Sequence, residues 1–350
     1  MDALQQANIS VNIVTWNSMA YLPSLFDSLD EQDADFRIIV VDNASTDGSG
    51  SFVTDGRPHV TMLRNMNNFG FTRGHNQAIQ LSLSGWQGQD LANRYIFVCN
   101  PDLECDPKCL SEMTKFMDEH PDIDACMPKL YQAHMRIDEA DQKTTDRTNI
   151  LDATGMVLTK ARRAYDRGAS EPDQGQYDGS IEIFGVCGAA SFFRASSVIR
   201  IMDENQFYDD AFFAYKEDLD IAWTMRRLNM KSAFVPSAIA WHHRRAPSQP
   251  RHGWLKAFKS RQYKPAFVNY LSTRNHTWTL LKHLHASDLF FHAPWIIPYE
   301  FAKLIAALLS LASLKGYLAS IGGLGRISKQ RKRLTRLNSL SPAEFRKLLV

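Results

Sequence analysis

Charge of one sign, paired cysteines and long apolar runs are all scarce in this chain of 350 residues. Forty Lys and Arg against 38 Asp and Glu leave a formal net charge of +2. That balance argues against a dedicated nucleic-acid binder, which needs a strongly basic face. The five cysteines stand at 99, 105, 109, 126 and 187 with no CxxC pair. The pattern offers neither a disulfide framework nor a zinc site and suits a reducing compartment. The longest clean apolar run, Leu304 to Leu314, is shorter than the roughly 20 residues a membrane-spanning helix requires. Met1-Asp2-Ala3-Leu4-Gln5-Gln6 lacks the basic and apolar regions of a signal peptide, so the expectation is a cytosolic chain. No internal repeat is visible. A hydrophobic fraction of 44% still provides for a sizeable globular core.

What is present is a strand construction used three times. Arg37 to Val41 is an apolar, β-branched run that stops at Asp42, and Asn43-Ala44-Ser45-Thr46-Asp47-Gly48 follows at once. It predicts a buried strand delivering Asp42 to the carboxyl end of a sheet, where open α/β folds bind ligands. Asp42 and Asp47 suit hydroxyl and amide groups, such as a ribose and a base. The same segment taken alone also suits a plain strand, Asx-turn and helix cap. Val11 to Asn17 and Tyr95 to Asp102 repeat the pattern, with helical periodicities between. Alternation of this kind predicts βαβ units, an α/β class and a mostly parallel sheet. Three strand ends bearing Asn or Asp would then converge on one crevice, which favours a nucleotide site. Further strands are expected at 59–63, 125–130, 181–186, 190–194 and 231–235, and a polar surface loop over 132–149.

Four constellations carry chemistry. Asn100-Pro101-Asp102 places a carboxylate beyond a strand end, where it could hold a hard divalent cation on a diphosphate. Glu217-Asp218-Leu219-Asp220 opens a helical pattern that continues through Trp223 and Arg226. Three carboxylates there complement a helix dipole, or one serves as general base with its pKa raised by like charges and apolar surroundings. His242, with His243, Arg244 and Arg245, follows a strand and could ligate the same cation or neutralise phosphate. Asn68 to Asn76, with two glycines, could bring backbone close to a nucleotide.

From about residue 246 to 350 the character turns helical, apolar and then basic. Residues 1–245 therefore form one expected domain and 246–350 a C-terminal helical region. Arg326 to Arg336 carries no acidic residue. After an apolar helix it suits an anionic membrane surface, at about 1 kcal/mol per basic residue. A helical hairpin packed on the domain with a solvated basic tail fits the same letters.

The ordered set, from Thr15-Trp16-Asn17 through Asp42 to Asp47, Asn68 to Asn76, Asn100-Pro101-Asp102, Phe184 to Ala190 and Glu217 to Asp220, ending at His242, resembles the inverting family-two glycosyltransferases of GT-A fold. The rhamnosyltransferase-like bacterial subgroup, which builds cell-surface polysaccharide, is the nearest in look. The resemblance implies that Thr15, Asn17, Asp42, Asn43 and Asp47 contact the base and ribose of a nucleoside diphosphate sugar, with Asn68 and Asn76 lining the pocket. It puts Asn100 and Asp102 at the metal motif for Mg or Mn, with His242 as a further ligand. Gly188 and Ala189 would floor the acceptor site, with Trp223 and Arg226 on the helix behind it. Asp218, beside Glu217, matches the general base. Asn100 replaces the first Asp of the metal motif, which leaves metal dependence open. A deoxythymidine diphosphate sugar or a uridine diphosphate sugar is the implied donor, and a glycan or lipid-linked hydroxyl the acceptor. The rivals are an idle sugar-nucleotide scaffold at the membrane and a nucleotidyltransferase. The latter would carry a Gly-rich basic loop where Thr15 to Ala20 has none.

Overall fold

The computed structural model describes residues 7–137, 143–243 and 265–350. Strands and helices alternate at first: β1 (Ile9–Thr15), α1 (Leu22–Asp30), β2 (Phe36–Asp42), α2 (Ser49–Gly56), β3 (Thr61–Arg64), α3 (Gly70–Gly85) and β4 (Tyr95–Cys99). Then come β5 (Leu103–Cys105), α4 (Cys109–Glu119), β6 (Ala125–Ile137), β7 (Lys143–Ala153), β8 (Met156–Leu158), β9 (Ala164–Asp166) and β10 (Glu182–Ile183). β11 (Ala190–Arg194), α5 (Ala195–Ile201), α6 (Glu217–Arg227) and β12 (Ser232–His242) complete the α/β body. The C-terminal helices are α7 (Ala266–His283), α8 (Ala286–Leu308), α9 (Leu311–Gly322), α10 (Leu324–Leu337) and α11 (Pro342–Lys347).

The sheet order is β10-β12-β6-β11-β4-β1-β2-β3. β3, β2, β1 and β4 are parallel, and they are built from the β-branched runs that such doubly covered strands need. β11 runs antiparallel between β4 and β6. β1 has β2 on one side and β4 on the other, so the order in which successive strands are laid down reverses at β1. Their carboxyl ends form the switch-point crevice where α/β sheets take ligands. On α1, Leu22, Leu25, Phe26 and Leu29 cover one face of this sheet, with Val11, Ile13 and Val40 in the same core.

Two expectations change here. The described parts of the segment 132–149 are strands, not loop: 132–137 belong to β6 and 143–149 to β7, which pair antiparallel. Its polarity hid the strands because much of the pair stands in water, where cross-strand contacts such as Arg136 to Asp146, 2.9 Å apart, replace apolar packing. The strand expected at 231–235 runs on to His242, with a register shift between Val235 and Ile239 that takes up Pro236. The expected boundary at 245/246, together with Arg244 and Arg245, lies outside the described residues.

The C-terminal helices dock on the body. α9 crosses α7 at Gly316, where a Cβ would come within 2.6 Å of the Tyr270 carbonyl. Trp278 of α7 donates its indole N–H to Ser320 O at 2.9 Å. Most of the basic stretch is not a free cationic face. Arg326 pairs with Asp209, Lys329 with Glu204 at 2.7 Å and Arg333 with Asp203 at 3.3 Å, while Arg331 binds the carbonyls of Leu281 and Leu284. The acidic 203–209 loop, remote in sequence, recruits these cations to the body. α8 and α9 meet at a bend of 117°, and no single described helix is long and apolar enough to cross a membrane.

Candidate active site

The carboxyl ends of β1 and β2 bond to each other. Asn43 N–H donates to Thr15 O at 2.9 Å, Asn17 N–H to Ser45 Oγ at 2.9 Å and Thr46 N–H to Asn17 Oδ1 at 2.8 Å. Asp42 is fully buried; its Oδ1 accepts from Ser45 N–H at 3.1 Å and its Oδ2 lies 3.4 Å from Arg64 Nε. Thr15 Oγ1 is buried without a hydrogen-bond partner among the described residues, the mark of a hydroxyl left for a ligand or water. Asp47 is exposed and accepts from Ser49 N–H, Ser49 Oγ and Met19 N–H. Asn43 donates to Gly70 O, and Asn68 accepts from Gly70 N–H. Gly70 has φ +81°, and a Cβ on it would meet Phe213 O at 2.4 Å, so the loop before α3 lies directly on the turn that precedes α6.

Asn76 departs from its expected place. It is buried, donates to Tyr208 O and Asp210 Oδ1, and accepts from the N–H groups of Phe207 and Tyr208. An amide spent on four such contacts braces the 207–210 loop and does not line a pocket.

At the end of β4, Asn100 N–H bonds to Ala189 O at 3.0 Å, which joins the metal-motif turn to the glycine-bearing loop before β11. Asp102 Oδ1 is 3.3 Å from His242 Nε2, and His242 Nδ1 is 2.8 Å from Asp152 Oδ2. Burial alone would lower the His242 pKa, but the carboxylates of Asp102 and Asp152 outweigh it and lift it to about 9. Asp152, wholly buried at the end of β7, escaped the sequence reading. Its signal was the same apolar-run-then-Asp construction, Ile150-Leu151-Asp152. The three residues form a carboxylate–imidazole–carboxylate row in which Asp152 sets the ring and Nε2 faces Asp102.

Across the crevice, α6 begins with the acidic doublet. Asp218 is half-buried; its carboxylate accepts from Leu219 N–H at 2.7 Å and from Gly188 N–H. A Cβ on Gly188 would stand 3.3 Å from Asp218 Cβ, so Gly188 lies directly against this side chain. Burial pushes the Asp218 carboxyl above its ordinary value against the pull of Lys216. Glu217 is buried behind it, and burial with the neighbouring Asp218 carries its pKa to about 8. Of the pair, Glu217 is the inner, buried carboxyl and Asp218 the outer, half-buried one. The turn leading in has Phe213, Tyr215 and Lys216 at φ 65°, 70° and 73°, each at a cost of about 1–3 kcal/mol.

Trp223 and Arg226 lie on α6 as expected and face inward. Trp223 is buried and stacks between His283 and Phe345, with ring centroids at 5.1 and 5.5 Å. Arg226 donates to Phe184 O at 2.9 Å and to Ile183 O and Glu182, fastening α6 to the strand that enters the Gly188 loop. Both face inward because α6 is sandwiched between sheet and C-terminal helices. Asp220 likewise points away from the crevice, 2.6 Å from Lys282 Nζ and 2.8 Å from His283 Nε2. A cavity of about 190 Å³ behind α6, lined by Asp220, Thr224, Lys282 and Arg326, belongs to this seam and holds neither Asp102 nor Asp218.

Three comparisons bear on this arrangement. A family model, Glycosyl transferase family 2, matches residues 10–199, more than half of the chain. N-acetylglucosaminyl-diphospho-decaprenol L-rhamnosyltransferase from two Mycobacterium tuberculosis strains is 22% identical over 213 residues, 59% of this chain and 66% of the relative. The chain thus spans just under two thirds of the relative's length. Among solved structures, S. aureus TarS 1–349 in complex with UDP-GlcNAc superposes at TM-score 0.50 and 15% identity over 94% of this chain and 87% of that one. GalNAc-T7 with UDP, GalNAc and Mn2+ does so at 0.55 and 11%, over 79% and 48%.

Proposed function

The chain belongs to glycosyl transferase family 2 and has the GT-A fold, and on that footing we propose that it moves a sugar, rhamnose first, from a nucleoside diphosphate to a lipid-linked glycan hydroxyl by inverting displacement. The observation that carries the reading is Asp218: half-buried, raised in pKa, cradled by Gly188 and Leu219 N–H groups, and open to the crevice that the strand ends line. Asp218 takes the proton of the acceptor hydroxyl as its oxygen forms the new bond to the anomeric carbon. The bond from that carbon to the diphosphate breaks with its electron pair on the leaving oxygen, and a single displacement inverts the anomeric centre. Thr15, Asp42 and the adjoining turns face the nucleoside.

Asp102 and His242 would hold a divalent cation, with Asp152 keeping Nδ1 as the donor and the cation displacing the proton that Nε2 otherwise carries toward Asp102. Such a cation would supply Lewis-acid stabilisation to the departing diphosphate. Among the described residues no group of three or more His, Cys, Asp or Glu could hold a metal. The Mn2+ and UDP beside GalNAc-T7, and the UDP-GlcNAc on TarS, support a cation and a nucleotide sugar. The rhamnosyl and lipid-linked choices follow the mycobacterial relative.

A membrane placement on the cytoplasmic face fits the same reading. α8 and α9 expose Phe290, Phe291, Trp295, Phe301, Leu308 and Leu311, Phe290 at 78%. An apolar face of that kind on a bent helix pair lies in an interface plane. With the polybasic helix largely spent on the body, insertion of apolar side chains carries the attachment. Flotation with vesicles should fail for Phe290→Asp with Trp295→Asp.

The deciding experiment incubates the protein and Mn2+ with deoxythymidine diphosphate-rhamnose, UDP-GlcNAc and related donors, and a polyprenyl-diphosphate-linked sugar. Rhamnosyl transfer supports the full reading. Transfer of another sugar retains the reaction and replaces the donor, while failure of every donor with folded protein removes the assignment.

A further inference from the structure

The turn that delivers the two carboxylates makes few bonds of its own. Phe213, Tyr215 and Lys216 sit in the left-handed region immediately before Glu217, so their neighbours' carbonyls point away from both sheet and helix and need outside donors. Phe213 O takes Thr72 N–H of α3 at 3.1 Å and Phe212 O takes Ala214 N–H at 2.8 Å, and the remaining donors come from α7. Asn275 is wholly buried, and its Nδ2 lies 2.9 Å from Phe212 O, 2.9 Å from Ala214 O and 2.8 Å from Tyr215 O. An amide nitrogen has two hydrogens, so it holds two of these carbonyls directly and shares the third. Arg274 sets which way the amide faces. Its Nε donates to Asn275 Oδ1 at 3.0 Å, and a guanidinium nitrogen reaches Ala211 O at 2.7 Å and Phe212 O at 3.1 Å. With Oδ1 held by Arg274, the NH2 group must face the turn.

We propose that Asn275 is a positioning residue for Glu217 and Asp218, its amide clamping the left-handed turn before them and Arg274 orienting that amide. The same helix holds the far side of the doublet, where Lys282 and His283 bind Asp220. α7 therefore grips the chain before and after the carboxylates without touching either. Packing alone would not require this set, because three carbonyls of one turn converge on one side-chain nitrogen. Displacement of a reacting group by about 1 Å is enough to cost roughly 100-fold in rate.

The inference rests on the transferase reading for its kinetic readout, and its structural readout is independent. Asn275→Asp keeps the shape but offers acceptors to carbonyls. Arg274→Lys keeps the charge and loses the fork that orients the amide. Leu29→Ala in α1, where Leu29 is buried in the core of the sheet, supplies a comparably destabilised control. Turnover is read as nucleoside diphosphate release from the donor that the wild type uses, affinity by calorimetry with UDP or deoxythymidine diphosphate and Mn2+, and local order by hydrogen exchange over 212–218.

The expected result is a kcat loss of about 100-fold or more for Asn275→Asp, with nucleotide affinity kept within about threefold and a smaller loss for Arg274→Lys. Faster exchange over 212–218 than in Leu29→Ala at matched Tm completes it. Wild-type kcat in Asn275→Asp overturns the proposal, as does a loss no greater than the control's or one matched by lost nucleotide affinity. If no donor turns over even in the wild type, the transferase reading fails, and the exchange data alone decide the clamp: no change over 212–218 rejects it.

Discussion

The two sides of the crevice are held together in different ways. On the β1–β2 side each polar group is gripped by its own turn or by the strand end beside it. Asp42 binds Ser45 three residues on, Asp47 binds Ser49 two on, and Asn68 binds Gly70 two on. On the α6 side the turn and Asp220 are set by Arg274, Asn275, Lys282 and His283, 60 to 63 residues away. Short contacts form with the strand that carries them, whereas long ones first need loop closure and packed C-terminal helices. The donor side should therefore tolerate damage in the C-terminal region that the base side does not.

The largest effect separates the two carboxylates. Asp218→Asn should cost about 10²- to 10⁴-fold in kcat at unchanged nucleotide affinity. Glu217→Gln should retain most of the rate near neutral pH, because burial already holds that side chain protonated, with its pKa at about 8. Equal losses in the two would remove the division of roles.

Asp220→Ala tests the long-range side directly. It leaves Lys282 buried without its carboxylate, and loss of one partner of such a pair costs about 3–5 kcal/mol. Denaturant unfolding should show that loss. Nucleotide binding by the folded fraction should persist, and its disappearance would break the comparison.

Acid should weaken the same seam. Burial lowers the pKa of His283 and of His276 to about 4. Both are neutral in the fold, while the unfolded chain takes up their protons near 6.5. Since the unfolded state binds more protons in that window, stability falls as pH drops from 6.5 toward 4, by on the order of 3 kcal/mol for His283. A midpoint flat across that range would show that these imidazoles are not buried neutral.

Asp152→Asn offers an amide to His242 Nδ1 and turns the ring toward the tautomer that cannot ligate through Nε2. Mn2+ affinity in the presence of nucleoside diphosphate should fall about 10- to 100-fold, read by calorimetry. Undiminished affinity would take His242 out of the metal set. The smallest effect belongs to the β1–β2 side: Asp47→Ala removes its bonds to Ser49 and to Met19 N–H of the adjoining strand-end turn and should lower stability by about 1 kcal/mol. A loss several times larger would mean that the donor side, too, depends on distant packing.

Much of the donor side could be read from the chain because its information is local. Apolar runs ending in Asn or Asp predict buried parallel strands and polar strand ends, and β1, β2 and β4 are such strands. Glu217 and Asp218 were visible for a related reason, as acidic residues opening an amphipathic helix. Asn76, Trp223 and Arg226 bond to or stack on segments remote in sequence, and type and spacing do not say which face of a helix such a segment will cover. Polar 132–149 concealed two paired strands, since a strand pair standing in water need not alternate apolar and polar residues.

Sequence by itself determined the α/β order, the strand-end carboxylates and the acidic doublet, each encoded within a few residues by periodicity and turn chemistry. Tertiary structure alone decided that Asp152 orients His242 from 90 residues away, that the basic helix faces the body, and that Asn275 holds the turn before the base. A buried Asn in a helix carries no local mark of its partners: three carbonyls some 60 residues upstream become its ligands only when the chain has folded back upon itself.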